Sequence, residues 1–430
     1  MTLPAAGSVG LAPTRTTLPN GVTVLAKHTT SIPAVTINLA VRTGSSADPV
    51  DCPGAMHMLA RVIDRGTTTR TSADIAEDLD GRGITLSVGV TRHVLSLACT
   101  CLAEDFAPVF ALLGDVLMRP SFPDAELATR KTEVATAIRQ DEDNPAVRAV
   151  ESLMAMLYPN GHPYGRLAKG TIEVVEGLTR ESLVRLHKQR CAPADLSACI
   201  VGDVPVARAT EVAAQVFERW ETTSPSPVVF PAIVPARQRR RLVVPMMSKS
   251  QADIACGFVT IPRADKAYYA HWLMNNVLGQ YAMGGRLGDS IRERQGMAYY
   301  VFSSFDASVV PGPLMIRAGV NPANVDRTVS SIDEEIGRFV RDGVTEKELK
   351  ESQQYLIGSM PRALETNAGI ATFLQTAEFF GLGLDYDLRL PDLLRGVTAD
   401  AVNEAARRSL DPDRATIVIA GPYEERTTAA

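Results

Sequence analysis

Two places in this 430-residue chain carry side chains whose types and spacing could do chemistry. The first is the run Gly54-Ala55-Met56-His57-Met58-Leu59-Ala60-Arg61-Val62-Ile63-Asp64-Arg65-Gly66-Thr67. Wound as a helix, it gathers Met56, Leu59, Ala60 and Ile63 on one apolar face and sets His57 and Arg61 one turn apart. In a His-x-x-Glu-His helix, two imidazoles at that spacing hold Zn²⁺ and the glutamate between them activates water. Here the corresponding positions read His57, Ala60 and Arg61. A catalytic zinc needs about three protein ligands plus water; His57 alone cannot supply them, and a guanidinium one turn away repels the cation. The expectation is that His57 is a helix residue hydrogen-bonded to a neighbour and that no zinc binds at this site.

The second place runs from Gly284-Gly285-Arg286-Leu287 to Arg292-Glu293-Arg294-Gln295-Gly296-Met297-Ala298-Tyr299. A guanidinium and a phenol both donate hydrogen bonds to a peptide carbonyl, and both stabilise an oxyanion. Arg292 is expected to end a helix, Gly296 to allow a turn and Tyr299 to begin a strand. By spacing alone the pair reads more plainly: an arginine paired with an acid such as Asp289, and a strand tyrosine packed in a sheet.

The elements that must position these residues follow from the apolar pattern. Alternation predicts strands at Val22 to Lys27, Ala34 to Thr43, Ile84 to Gly89, Arg92 to Cys101 and Leu196 to Val201. Helical spacing predicts helices at about 73 to 79 with Ser72 as N-cap, 104 to 118, 123 to 141, 145 to 158 and 179 to 190. Thr222 to Pro235 contains Ser224-Pro225-Ser226-Pro227 and two further prolines, the signature of an extended linker. Domains are therefore expected at 1–221 and 241–430, joined by a linker at 222–240. The second half repeats the first. Gly177 through Gly202 aligns without a gap on Gly396 through Gly421, with Thr179 and Thr398 219 residues apart, and Asp124-Ala125-Glu126-Leu127 resembles Glu346-Lys347-Glu348-Leu349 at an offset of 222. An internal duplication accounts for both, and two copies require two similar α+β domains, each a mainly antiparallel sheet covered by helices.

Composition narrows the function classes. Apolar content of 45% with 22% charged residues is that of a globular protein of two domains. A net charge of −5 argues against nucleic acid as partner; the one strong basic cluster, Arg237-Gln238-Arg239-Arg240-Arg241, adjoins the linker and reads as its solvated end. Six cysteines, with no Cys-x-x-Cys, form no disulfide framework or zinc knuckle and suit reduced thiols in a cytosol. Met1 to Ser8 lacks the pattern of a secretory signal, and no run of roughly 18 apolar residues suggests a membrane span. A cytoplasmic protein without membrane contact is expected.

Several separate motifs resemble the insulinase/pitrilysin family of zinc peptidases, in the short two-domain branch of mitochondrial processing peptidase, over nearly the whole chain. Leu18-Pro19-Asn20-Gly21-Val22 opens the chain as members open, Gly54 to Thr67 matches the motif helix, and Ile138 to Pro145 matches the end of the helix that brings the third zinc ligand. Where members carry paired glutamates this chain has Thr136-Ala137, so the resemblance leaves one of four zinc-site residues, His57, in a degenerate motif with Ala60, Arg61, Thr136 and Ala137. The 284–299 segment resembles the family's C-terminal motif, whose arginine and tyrosine contact the substrate backbone at a zinc site; the matching residues are Arg292 and Tyr299. The resemblance implies a zinc-less subunit of a heterodimeric metallopeptidase, inactive alone, with no cofactor in this chain. It would enclose a peptide and supply Arg292 and Tyr299 to a homologous partner that carries the zinc. The alternative is an inactive structural or peptide-binding subunit of a larger complex. A homodimeric peptidase using Glu133, Asp141, Glu142 or Asp143 is a third reading, against which these acids read as solvated surface.

Overall fold

A computed structural model describes residues 10–221, 227–281 and 283–424. Part of the expected linker, 222–226, and the stretch Met1 to Ser8 fall outside the described residues. Two compact units are present, each built on one sheet, and together they give the α+β architecture of two similar domains.

Unit 1 comprises Met1–Ile138, Leu167–Val229 and Met360–Arg389. Its strands are β1 (Thr14–Thr17), β2 (Thr23–His28), β3 (Ala34–Val41), β4 (Ser87–Val90), β5 (Leu95–Leu102) and β6 (Leu196–Gly202), in the order β1-β2-β6-β3-β5-β4. Only β2 and β6 run parallel. Alternation sends Val35, Ile37, Leu39 and Val41 of β3, with Leu95, Leu97, Cys99 and Cys101 of β5, into the main core beneath the helices. The opposite face presents Leu25, Cys199 and Val201, and these are covered by Ile370, Ala371 and Leu374 of the helix Asn367–Phe379. Gln375 on that helix reaches into the sheet, donating to the carbonyls of Asn38 at 2.7 Å and Ser197 at 2.9 Å.

Unit 2 comprises Arg139–Arg166, Phe230–Ser359 and Leu390–Ala430. Strands β7 (Arg240–Pro245), β8 (Ala252–Val259), β9 (Ala298–Phe305), β10 (Pro313–Val320) and β11 (Thr416–Gly421) lie in the order β7-β11-β8-β10-β9, with β7 and β11 parallel. The helix Pro145–Leu157 covers β8 and β11, burying Leu153 and Leu157 against Ala255, Val418 and Ala420. Gly257 leaves it room: a β-carbon there would sit 2.9 Å from Leu153 Cδ2.

The order of β2-β6-β3-β5-β4 is repeated by β7-β11-β8-β10-β9, and the aligned segments fold alike. The helices Arg180–Arg190 and Ala399–Ser409 are both capped by threonine, Thr179 accepting from Ser182 N and Thr398 from Ala401 N, and each leads into the parallel-paired strand. The units nevertheless differ from the continuous ranges 1–221 and 241–430. Each holds one helix from the opposite half of the chain, Pro145–Leu157 in unit 2 and Asn367–Phe379 in unit 1. An amphipathic pattern shows that a helix has a face to bury but not which sheet buries it.

Two local expectations are corrected. The helix Ser72–Asp80 is capped by Thr71, not Ser72, because Asp74 reaches back to the Thr71 N–H and closes a capping box. The basic cluster is not a solvated linker end. Arg239 makes a two-pronged pair with Asp333 at 3.0 and 2.7 Å, Arg240 donates to Thr416 Oγ1 in the first pairing of β7, and Arg241 reaches Asp326 and the Tyr423 hydroxyl. Among the described residues no helix is long and apolar enough to cross a membrane.

Three histidines are folded into interiors. Burial lowers the affinity of His162, His187 and His271 for a proton below the ordinary value of 6.5. The unfolded chain therefore takes up protons that the folded chain refuses, so their contribution is complete above pH 6.5 and is lost as pH falls through the depressed folded values. Thermal unfolding followed by circular dichroism is expected to show a midpoint that drops as pH is lowered from about 7 to about 5, and His187→Gln is expected to flatten that slope.

Candidate functional site

In unit 1 the chemistry-bearing helix is Ala55–Val62. Its N-terminus is held by the buried Asp48 carboxylate, which accepts from Gly54 N at 2.8 Å and Met56 N at 2.7 Å. An acid at that end also complements the helix dipole. Met56, Leu59 and Ile63 are fully buried and Ala60 nearly so, as the periodicity requires, while His57 is half-buried and Arg61 exposed. Arg61 Nη2 lies 2.8 Å from Glu133 Oε2 on the helix Asp124–Glu142. Glu133 also binds Arg130, and hydrogen bonds from Arg130 and then Arg61 hold its carboxyl below the usual range. One turn further along, Thr136 turns its hydroxyl back on the Thr132 carbonyl at 2.8 Å, and Ala137 offers no side-chain donor or acceptor. The structure thus places an arginine–glutamate pair between the two helices that the degenerate motif predicts to be neighbours.

In unit 2 the segment after Gln280 bends through Gly284 and Gly285, both at positive φ (+112° and +58°), where a side chain would be strained. Arg286 then pins the segment. Its guanidinium grips both carboxylate oxygens of Glu348 at 2.6 and 2.7 Å, donates to the Gly343 carbonyl at 2.8 Å and lies 4.6 Å above the Phe339 ring. Burial raises the Glu348 carboxyl, but the bonds from Arg286 and Thr345 outweigh it and bring it down to about 2. The helical stretch Gly288–Arg294 buries Ser290 and Ile291 and leaves the Arg292 side chain 39% exposed. Asp289, the acid that spacing offers Arg292, is taken by Arg294 at 3.0 Å, and Arg292 Nε lies 3.6 Å from Glu293. Gly296 makes the turn at φ +61° and β9 follows at Ala298.

Tyr299 is not packed in the sheet: it is 63% exposed. Its neighbour Tyr300 is the packed one, with its hydroxyl on Asp253 of β8. A cavity of about 560 Å³ opens beside the segment, lined by Tyr281, Met283, Asp289, Glu293, Lys347 and Glu351 among others. The cavity walls are formed by apolar, acidic and basic side chains of its own lining, while the segment presents two donors, the Arg292 guanidinium and the Tyr299 phenol. Such groups bind peptide carbonyls and stabilise developing negative charge, and they supply no nucleophile. The anchors Arg286, Glu348, Asp253 and Tyr300 were not legible as such; Arg286 and Glu348 are 62 positions apart and no local pattern joins them.

Comparison with known proteins places these features. Residues 23–169 match the model described as Insulinase (Peptidase family M16), and residues 177–356 match the model described as Peptidase M16 inactive domain. The chain belongs to the insulinase, or M16, peptidase family. The Ala55–Val62 helix of this M16 protein lies in the first match, and Arg292 and Tyr299 lie in the second. An uncharacterised zinc protease of Mycobacterium leprae is 27% identical over 99% of this chain and 94% of its own length. A crystal structure of a peptidase M16 inactive domain from Pseudomonas fluorescens superposes with a TM-score of 0.88 at 25% identity, covering 97% of this chain and 100% of that one. A protease from Helicobacter pylori, at 16% identity, shares the fold with a TM-score of 0.86 over 95% of this chain and 99% of its own.

The zinc that the family implies does not fit the residues present. Among the described residues no group of three His, Cys, Asp or Glu side chains is placed to hold a metal ion, and at the motif helix Arg61 and Glu133 neutralise each other.

The Glu348 anchor has a testable pH signature. Its depressed carboxyl contributes stability that is complete above its ordinary 4.5 and is lost as pH falls toward about 2. In urea titrations Glu348→Gln is expected to be less stable than the parent at neutral pH, with the difference shrinking below pH 4.5; a constant difference would contradict the assignment.

Proposed function

We propose that this chain is the zinc-less subunit of a heterodimeric M16 metallopeptidase, of the type to which mitochondrial processing peptidase belongs. It encloses a peptide and lends Arg292 and Tyr299 to the active site of a homologous, zinc-bearing partner. The observation that carries this reading is the contrast between the two motifs. The metal motif has become an Arg61–Glu133 ion pair, whereas Arg292 and Tyr299 stand exposed on a segment anchored by Arg286. A purely structural subunit has no use for an anchored, solvent-facing pair of peptide donors. The chain itself holds no zinc in this reading. No membrane or nucleic acid takes part, and a reducing cytoplasm suits the six free cysteines.

The roles of the two donors follow from charge. When water adds to the scissile carbonyl, negative charge collects on oxygen; Arg292 and the Tyr299 hydroxyl would donate to it or to the flanking backbone carbonyls, lowering the barrier by binding the transition state better than the substrate. Zinc, when bound by the partner, supplies the polarised water.

Zinc content and turnover test this proposal. Elemental analysis of the purified chain is expected to find zinc far below one equivalent, and mixing with the zinc-bearing partner is expected to create a peptidase that neither chain shows alone. Stoichiometric zinc, or full turnover by this chain alone, would refute the reading. In the mixed complex Arg292→Ala and Tyr299→Phe are each expected to lower turnover by about 10²-fold or more while assembly, followed by light scattering, is unchanged. Unchanged turnover in both would point instead to a structural subunit.

A further inference from the structure

Strand β9 pairs regularly with β10 from Phe305↔Leu314 back to Tyr300↔Gly319, and then slips, so that Val320 faces Ala298. Tyr299 is the extra residue of a β-bulge, standing opposite no residue of β10. The consequence shows in the alternation. Tyr299 shares the parity of Val301 and Ser303, which are 3% and 0% exposed, so an unbroken strand would turn it toward that buried face. The bulge turns it out instead, which is what bulges beside functional sites do.

The residue that ends the bulge is tied down by a row across three strands. Asp253 of β8 stands opposite Gly319 of β10, which stands opposite Tyr300 of β9. The Tyr300 ring lies across Gly319 and delivers its hydroxyl to Asp253 Oδ1, and Gln251 Nε2 donates to the same carboxylate at 3.3 and 3.1 Å. Gly319 is what allows this: a β-carbon there would collide with the Tyr300 ring and come within 2.6 Å of Gln251 Nε2. Asp253 is 3% exposed, so its carboxylate depends on these donors. Burial, then the bond to Asp253, raises the Tyr300 phenol, keeping it a protonated donor, and Arg317 is the cation that faces it.

We infer that the Asp253–Gly319–Tyr300 row is the positioning device for Tyr299: it fixes the register on one side of the bulge so that the neighbouring phenol projects as a peptide donor. The part of this that concerns geometry stands by itself; the part that concerns catalysis rests on the function proposed above. None of the three residues is a catalytic residue, since each acts through Tyr299.

The test uses the purified chain labelled with 3-fluorotyrosine, with the Tyr299 line in the fluorine NMR spectrum identified by its loss in Tyr299→Phe. Tyr300→Phe removes one hydroxyl and Gly319→Ala removes the space for the ring. Both are expected to shift or split the Tyr299 line while the Tyr423 line, identified by Tyr423→Phe, stays in place. A Tyr299 line unchanged in folded Tyr300→Phe overturns the inference, and that variant suffices if Gly319→Ala does not fold. In the complex with the zinc-bearing partner, Tyr300→Phe is expected to lower kcat by up to about 10²-fold with KM held, and to have no further effect in a Tyr299→Phe background. A displaced line with unaltered kcat would leave the geometry standing and overturn the use of Tyr299; an additive loss in the double variant would overturn the claim that the row acts through Tyr299.

Discussion

A β-sheet whose two faces are both apolar must have both covered, and in this protein the second cover of each sheet is a helix drawn from the other half of the chain. Leu25, Cys199 and Val201 are dry only because Ile370, Ala371 and Leu374 lie on them. Ala255, Val418 and Ala420 are dry only because Leu153 and Leu157 do. Burying a side chain the size of valine or leucine is worth about 1.5–3 kcal/mol, and either sheet without its borrowed helix would present an apolar face to water. The two halves of the chain are consequently not the two folded bodies, although duplication made them alike.

Between the helices Ala55–Val62 and Asp124–Glu142 the polar contact is an ion pair. Arg61 and Glu133 bring opposite charges 2.8 Å apart, and Arg130 shares the carboxylate. Both partners are more than a third exposed, so the pair contributes little stability.

The C-terminal segment teaches a different lesson, because like residues there have opposite fates. Arg286 and Arg292 are six positions apart; the first is an anchor, clamped between Glu348 and the Phe339 ring, and the second is left partly exposed. Tyr299 and Tyr300 are adjacent; one is solvent-facing and the other is bonded to a buried aspartate. In each pair one residue is fixed by a partner distant in sequence and its fellow is left toward solvent.

By itself the sequence determined the duplicated α+β plan, since offsets of 219 and 222 residues and the 2.0 and 3.6 periodicities are properties of the chain. It also determined that a helix precedes Gly296, that Gly296 turns and that a strand follows. Tertiary structure decided the rest. Whose sheet Pro145–Leu157 covers, which arginine finds Glu348, where Arg239 to Arg241 pair, and which of two adjacent tyrosines faces solvent all depend on residues tens to hundreds of positions away. The bulge that exposes Tyr299 is set by a glycine on β10 and an aspartate on β8. A local pattern records which side chains a segment has to place, and only the packed sheet supplies the partners that decide where they go.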